Sequence, residues 1–215
     1  MAVILRQGLF GSYYGSTYDS SNALTITQMQ VNARYIYYAL LSHGFTINAI
    51  AGILGNMEVE SSMNPGRWQS DRVGGSTEGH GYGLVQWTPY TKYTEWCTSN
   101  GYVDPSEMDN NIRRIAYEIE NNIQWIGVGA YSDMSFDDFR KSTLDAGTLA
   151  KAFVLCYERP ADQSESHLNY RASLGEKWFE FLGGVYPDNP ITPTKRKKKK
   201  FNFILFNSRK RKLYG

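Results

Sequence analysis

The 215-residue chain predicts an α+β domain that is predominantly helical, with a small antiparallel sheet next to a helix that ends on an acid. Three observations carry this expectation. Apolar residues recur at helical spacing in most segments between residues 27 and 182. Polar caps and Gly or Pro stops bound those segments. Between residues 64 and 87 six glycines and short polar runs interrupt them, as a hairpin with a loop would.

Taken in order, residues 1–24 are rich in Gly, Ser and Tyr without helical period and read as an N-terminal arm. Thr27 with Gln30 forms a capping box for a first helix that ends near His43-Gly44. Thr46 caps the second, and Phe45 before it can staple onto Ile50. Ile50, Ile53, Leu54 and Met57 then make one apolar face, and Asn64-Pro65 stops the helix. Thr88 as cap and Pro89 at the first position open a helix to Asn100-Gly101. Asp104-Pro105-Ser106-Glu107 is a further capping box, ahead of an amphipathic run through Met108, Ile112, Ile115, Ile119 and Ile123. Helices over 135–142, 145–158 and 164–182 follow, the second stopped by Pro160 and the last closed by Gly183-Gly184. The domain proper is thus 25–184. Pro187, Pro190 and Pro193 stiffen a linker over 185–194, and 195–215 is a basic and aromatic tail.

Charge is divided unevenly. Ten of the 23 basic residues lie in 195–215 and no Asp or Glu lies beyond Asp188, so residues 1–194 carry 13 basic against 21 acidic residues, a balance of −8. An acidic body argues against nucleic acid as its substrate, whereas the tail suits an anionic partner such as teichoic acid, a membrane surface or nucleic acid. Two cysteines, Cys97 and Cys156, are too few for a disulfide framework and read as buried thiols. Arg6 and a Gly/Tyr/Ser run follow Met1–Leu5 at once, so no signal peptide is expected, and no segment has the length of a transmembrane helix.

The chemistry centres on the second helix. A carboxyl at a helix C-terminus sits at the negative end of the dipole, which disfavours its ionised form and suits a general acid. Glu58 and Glu60 flank the apolar face on opposite sides, and periodicity does not choose between them; the ordinary reading of either is a solvated flank. Cysteine peptidase chemistry is a poor fit, because the histidines are His43, His80 and His167 and neither cysteine opens a helix. There is no His-Glu-x-x-His or comparable ligand cluster, and neither metal nor cofactor is expected.

Glu60-Ser61 followed by Gly83-Leu84-Val85-Gln86 resembles goose-type lysozymes and soluble lytic transglycosylases. With Asn56-Met57, Asn64-Pro65-Gly66 and Tyr157-Glu158-Arg159-Pro160, the ordered set is most similar to the tail-associated lysozymes of bacteriophages, over roughly residues 27–183. The resemblance implies a lysozyme-like fold and a peptidoglycan glycosidase cleaving the β-1,4 bond between MurNAc and GlcNAc, with Glu60 as the acid. For the second carboxylate Glu78 is taken first, with Asp71 and Glu158 as other candidates. Lytic transglycosylases need only one, because the muramic acid 6-hydroxyl attacks its own ring, and a non-catalytic wall-binding virion module is a further alternative. Ser61, Gln86, Tyr82 and Tyr157 are implied as substrate-binding, although Glu-Arg-Pro after Tyr157 departs from the transglycosylase pattern; Trp87 suits the cleft or the core equally. Implied partners are peptidoglycan glycan strands and other virion tail proteins, at a phage tail tip or released at the host wall. The resembling phage proteins can carry a metallopeptidase domain after the lysozyme domain, where this chain has its basic tail.

Overall fold

The computed structural model describes residues 3–17, 22–69 and 79–184. In chain order the elements are β1 (Ile4–Gly8), β2 (Gly11–Gly15), α1 (Ile26–Ser42), α2 (Ile47–Ser61), α3 (Thr91–Ser99), α4 (Met108–Glu120), α5 (Phe136–Lys141), α6 (Ala146–Phe153) and α7 (Glu165–Phe181). A 3-10 turn at Gly129–Tyr131 and a π-helical turn at Val154–Glu158 complete them. The predominantly helical α+β class is as expected.

The segment read as an arm contains the two-stranded sheet. β1 and β2 pair antiparallel in the register Ile4↔Gly15 to Gly8↔Gly11. Tyr13 is buried in the core, Arg6 reaches Asp104 and Ser106 ahead of α4, and Asn32 of α1 clamps the Tyr14 backbone from both sides. Within 64–87, where the sheet was expected, the pairing among the described residues consists of isolated antiparallel bridges, Trp68↔Tyr82 and Tyr82↔Trp87.

Caps decide where the helices begin. Thr25-Ile26-Thr27-Gln28-Met29-Gln30 holds two overlapping Thr-x-x-Gln boxes, and the fold uses Thr25 with Gln28, two residues earlier than the one read from sequence, so that Met29 is drawn into the core. Thr46 caps α2 as expected, accepting from Ala49 N. Thr88 does not cap α3: its hydroxyl donates to Gln86 O, and the helix starts at Thr91. Nor does Asp104 cap α4, because its carboxylate serves Arg6 and the Ser106 backbone; α4 starts at Met108 and ends before Ile123.

Three helices form the scaffold under the site. α2, α6 and α7 pack so closely that a Cβ on Gly55 would lie 2.6 Å from Gly175 N, and one on Gly52 2.9 Å from Ala150 N. Asn56, wholly buried, donates its amide to Gly52 O and Ala150 O and so ties α2 to α6. An unpaired buried amide is costly, so this pairing fixes the rotation of α2 about its axis.

Candidate active site

α2 ends at Ser61, and Ser62 (φ 51°) and Met63 (φ 54°) then turn through the left-handed region. Gln86 (φ 51°) and Arg159 (φ 50°) have the same uncommon backbone, and both line the cleft that opens beside the end of α2. Such conformations cost of order 1–3 kcal/mol each and persist where the surroundings impose them.

The cleft, about 400 Å³, is lined by Glu60, Arg67, Val85, Gln86, Glu158 and Arg159 among others. A second hollow of about 220 Å³ shares Val85, Gln86, Thr88, Glu158 and Arg159 and extends the trough toward Lys92 and Gln124. Another depression, about 340 Å³, lies between His43, Ile119 and Arg140; of its two carboxylates Asp137 is paired with Arg140 and Lys141, and Glu120 is the other. The trough beside α2 is the one that holds the acid at the end of that helix.

Glu60 stands at its edge, with its side chain 22 % exposed, and accepts from Arg171 Nη2 at 2.5 Å. Arg171 is the residue the sequence reading missed. Its side chain is 3 % exposed; Nη1 donates to Asn56 O at 3.0 Å and approaches Glu158 Oε2 at 3.6 Å, and Nε donates to His167 Nε2. A signal existed: Arg171 precedes Leu174, Gly175, Trp178 and Phe179 on the buried stripe of α7, a place where an arginine needs a partner. Glu58, the rival acid, is held by Lys177 Nζ and Trp178 Nε1 and is a structural tie between α2 and α7.

Glu158 comes from the π turn. There Arg159 N bonds back to Val154 O, a step of five residues, and the carbonyls of Cys156 and Tyr157, left without helical partners where Pro160 ends the turn, are taken by Ile126 N and Gln124 Nε2. The Glu158 side chain is 5 % exposed and, among the described residues, neither carboxyl oxygen has a hydrogen-bond partner. Burial first, then the nearby Glu60 charge, push its pKa well above the ordinary carboxylate range, against the pull of Arg171.

The other expected residues divide. Gln86 lines the cleft; its Nε2 donates to Gly83 O and Arg67 O, which turns Oε1 away from them. Ser61 does not reach the cleft with its hydroxyl, which is buried and donates to Leu84 O and Met57 O, locking the Gly-rich segment to the end of α2. Tyr82 is wholly buried between Trp68 and Tyr93. Tyr157 is 1 % exposed, and its hydroxyl lies in a buried network with Glu118 and Trp87 Nε1 rather than on the cleft surface. Trp87 belongs to the same network and is core. Glu78 and Asp71 lie outside the described residues. Both thiols are buried, and burial pushes that of Cys97 up to about 11, unsuited to a nucleophile. Among the described residues no group of His, Cys, Asp and Glu is placed to hold a metal ion, and no helix is long and apolar enough to cross a membrane.

A helical α+β domain with an acid at a helix end over a cleft walled by a Gly-rich segment defines the lysozyme-like class. Comparison with known proteins makes this particular: the phage tail lysozyme family model matches residues 31–182, and the chain belongs to that family. It is 44 % identical over 167 residues to "Morphogenesis protein 1" of Bacillus phage B103, a match covering 78 % of this chain and 43 % of that protein. The chain therefore spans less than half the length of this relative.

Proposed function

We propose that the protein is a peptidoglycan glycosidase of a bacteriophage, cleaving the β-1,4 bond between MurNAc and GlcNAc with Glu60 as general acid. The observation that carries this reading is the position of Glu60: at the end of α2, partly exposed to the trough, and held in place by a buried guanidinium. The acid protonates the bridging oxygen as the C1–O bond breaks, and C1 is then captured by water or by the muramic acid 6-hydroxyl. Gln86 Oε1 is oriented to accept from a sugar hydroxyl or acetamido N–H. Family membership and the name of the B103 relative support a place in a phage particle, with local wall penetration as its use.

Turbidity loss of purified walls tests the activity. Glu60→Gln is expected to lower it by about 10²–10⁴-fold with an unchanged melting temperature. A variant that lyses walls at the wild-type rate rejects Glu60. Wild-type protein that binds walls without cleaving them makes the domain a non-catalytic module. The described residues lining the trough include two carboxylates, Glu60 and the buried Glu158, which keeps capture by the 6-hydroxyl in play. Mass spectrometry of released muropeptides separates the routes, since water gives reducing ends and the 6-hydroxyl gives 1,6-anhydro products.

A further inference from the structure

Glu158 is a buried carboxyl that the mechanism above does not use. Among the described residues its oxygens meet no donor, and the nearest described cation, Arg171, spends its short contacts elsewhere: Nη2 on Glu60 Oε1 at 2.5 Å and Nη1 on Asn56 O at 3.0 Å, leaving 3.6 Å to Glu158 Oε2. An unpaired buried carboxylate is among the costliest groups a fold can hold, whereas its neutral acid is tolerated. Two carboxyls thus face one guanidinium, and full ionisation would leave two anions against a single cation.

We propose that Glu158 is a positioning residue that shares one proton with Glu60 across the Arg171 guanidinium, keeping a transferable proton at the trough when a glycan arrives. The proposal rests on Glu60 being the general acid. In the resting pair Glu158 carries the proton while Glu60 faces the Arg171 guanidinium. On binding, the proton passes from a Glu158 oxygen to a Glu60 oxygen, directly or through one water. Glu60 then gives it to the bridging oxygen as the C1–O bond breaks. The water or 6-hydroxyl that attacks C1 loses its own proton to the pair, which returns to its starting state.

Other charges around the pair are turned away or set back. Arg159 donates to Cys156 O and to the Gln124 carbonyl, and Tyr157 faces Glu118. Arg67, on the loop after α2, donates to Ser62 Oγ and feels Glu60 across the cleft. His167 lies behind Arg171, with Asp162 3.6 Å from its Nδ1, and Lys92 lies at the far end of the trough. The pair's proton count is therefore set mainly by Glu60, Glu158 and Arg171.

The test uses the full chain and Glu158→Gln, which preserves shape and removes the titrating group. In pH–rate profiles of wall lysis, the alkaline midpoint should fall by about one pH unit or more relative to wild type, equivalent to roughly tenfold lower activity, relative to each variant's own maximum, at pH values above the wild-type midpoint. Melts over the same pH range give a readout without catalysis. A Glu whose folded pKa is raised binds more protons folded than unfolded, so its contribution is fully present below the ordinary value of about 4.5 and is lost as pH rises through the folded pKa. The wild type should lose melting temperature over that window and Glu158→Gln should lose less. An unmoved midpoint together with parallel melts overturns the proposal. If Glu158→Gln does not fold, 13C-glutamate labelling of the wild type and Glu60→Gln replaces it. One carboxyl should titrate well above the ordinary range and drop when the Glu60 charge is removed; no such carboxyl, or one indifferent to Glu60→Gln, also overturns it. A wild type without lytic activity rejects the glycosidase reading, while the melts and labelling still judge proton sharing.

Discussion

Gly55→Ala tests whether the close packing of α2 on α7 sets the site. On helix propensity alone the change should stabilise α2 by about 1 kcal/mol. The geometry opposes it: the new Cβ would lie 2.6 Å from Gly175 N and 3.0 Å from both Gly175 Cα and Leu174 C, against 3.4 Å for ordinary contact. All three are backbone atoms of α7 and cannot swing aside, so the helices must part by roughly 1 Å in an interior that is otherwise close-packed. Overpacking costs about 1–3 kcal/mol, and a backbone obstacle belongs at the upper end, leaving a net loss of about 2 kcal/mol. For a domain of this size that is a melting temperature lower by about 4–8 °C. Arg171 sits one turn from Gly175 on the same face, so the same displacement draws its guanidinium off Glu60, where the contact is now 2.5 Å. Wall lysis should fall by about tenfold to a hundredfold. Circular dichroism melts and turbidity measure the two effects. A Gly55→Ala protein that melts at or above the wild-type temperature refutes the packing argument.

Three further outcomes follow from other contacts. Glu118→Ala leaves Arg114 and the Tyr157 hydroxyl without their carboxylate in the interior and Trp87 Nε1 with only one of its two acceptors, and should cost about 3–5 kcal/mol in denaturant unfolding, with Glu118→Gln costing less; equal effects would deny the buried ion pair its role. Arg6→Ala removes a partly exposed pair with Asp104 and two contacts to Ser106, so a global loss of only about 1 kcal/mol is expected, with faster amide exchange confined to the hairpin; unchanged hairpin exchange would mean that Tyr13 and the Asn32 clamp hold it without Arg6. Truncation after Pro193 removes ten cationic residues and should weaken wall binding at low salt while sparing cleavage of soluble glycan fragments; binding that is unaffected at low salt rejects the tail as an attachment device.

Helices were legible wherever periodicity and caps agreed. Thr46, Ser135 and Ser164 cap the helices assigned to them, each hydroxyl accepting from the backbone N–H three residues on while keeping a second polar contact of its own. Thr88 and Asp104 carry the same local signature but are engaged by Gln86 O and by Arg6, contacts that only tertiary structure supplies. The hairpin at 4–15 was missed because its apolar residues do not alternate: Ile4, Leu5 and Leu9 are exposed, and one tyrosine, Tyr13, anchors it. Within the site, the ordered motifs pointed to Glu60 and Gln86, which line the cleft. They also pointed to Ser61 and Tyr82, whose side chains are buried behind the walls, and to Tyr157, which borders the second hollow with its hydroxyl turned to Glu118, since a motif marks a segment and not the direction a side chain takes. Arg171 lies 111 residues from Glu60 and belongs to none of the motifs.

The π turn bears on how Glu158 is specified at all. A regular helix advances by about 100° per residue, so a turn that closes over five residues instead of four rotates everything after it by one place. Glu158 faces the trough because of a count of residues between Phe153 and Arg159 rather than because of any one side chain among them. Substitution scanning across Val154, Leu155 and Cys156 therefore probes packing alone. A one-residue deletion there rewrites the phase of the chain, swinging the carboxyl away from Arg171 while leaving the composition of the domain almost untouched.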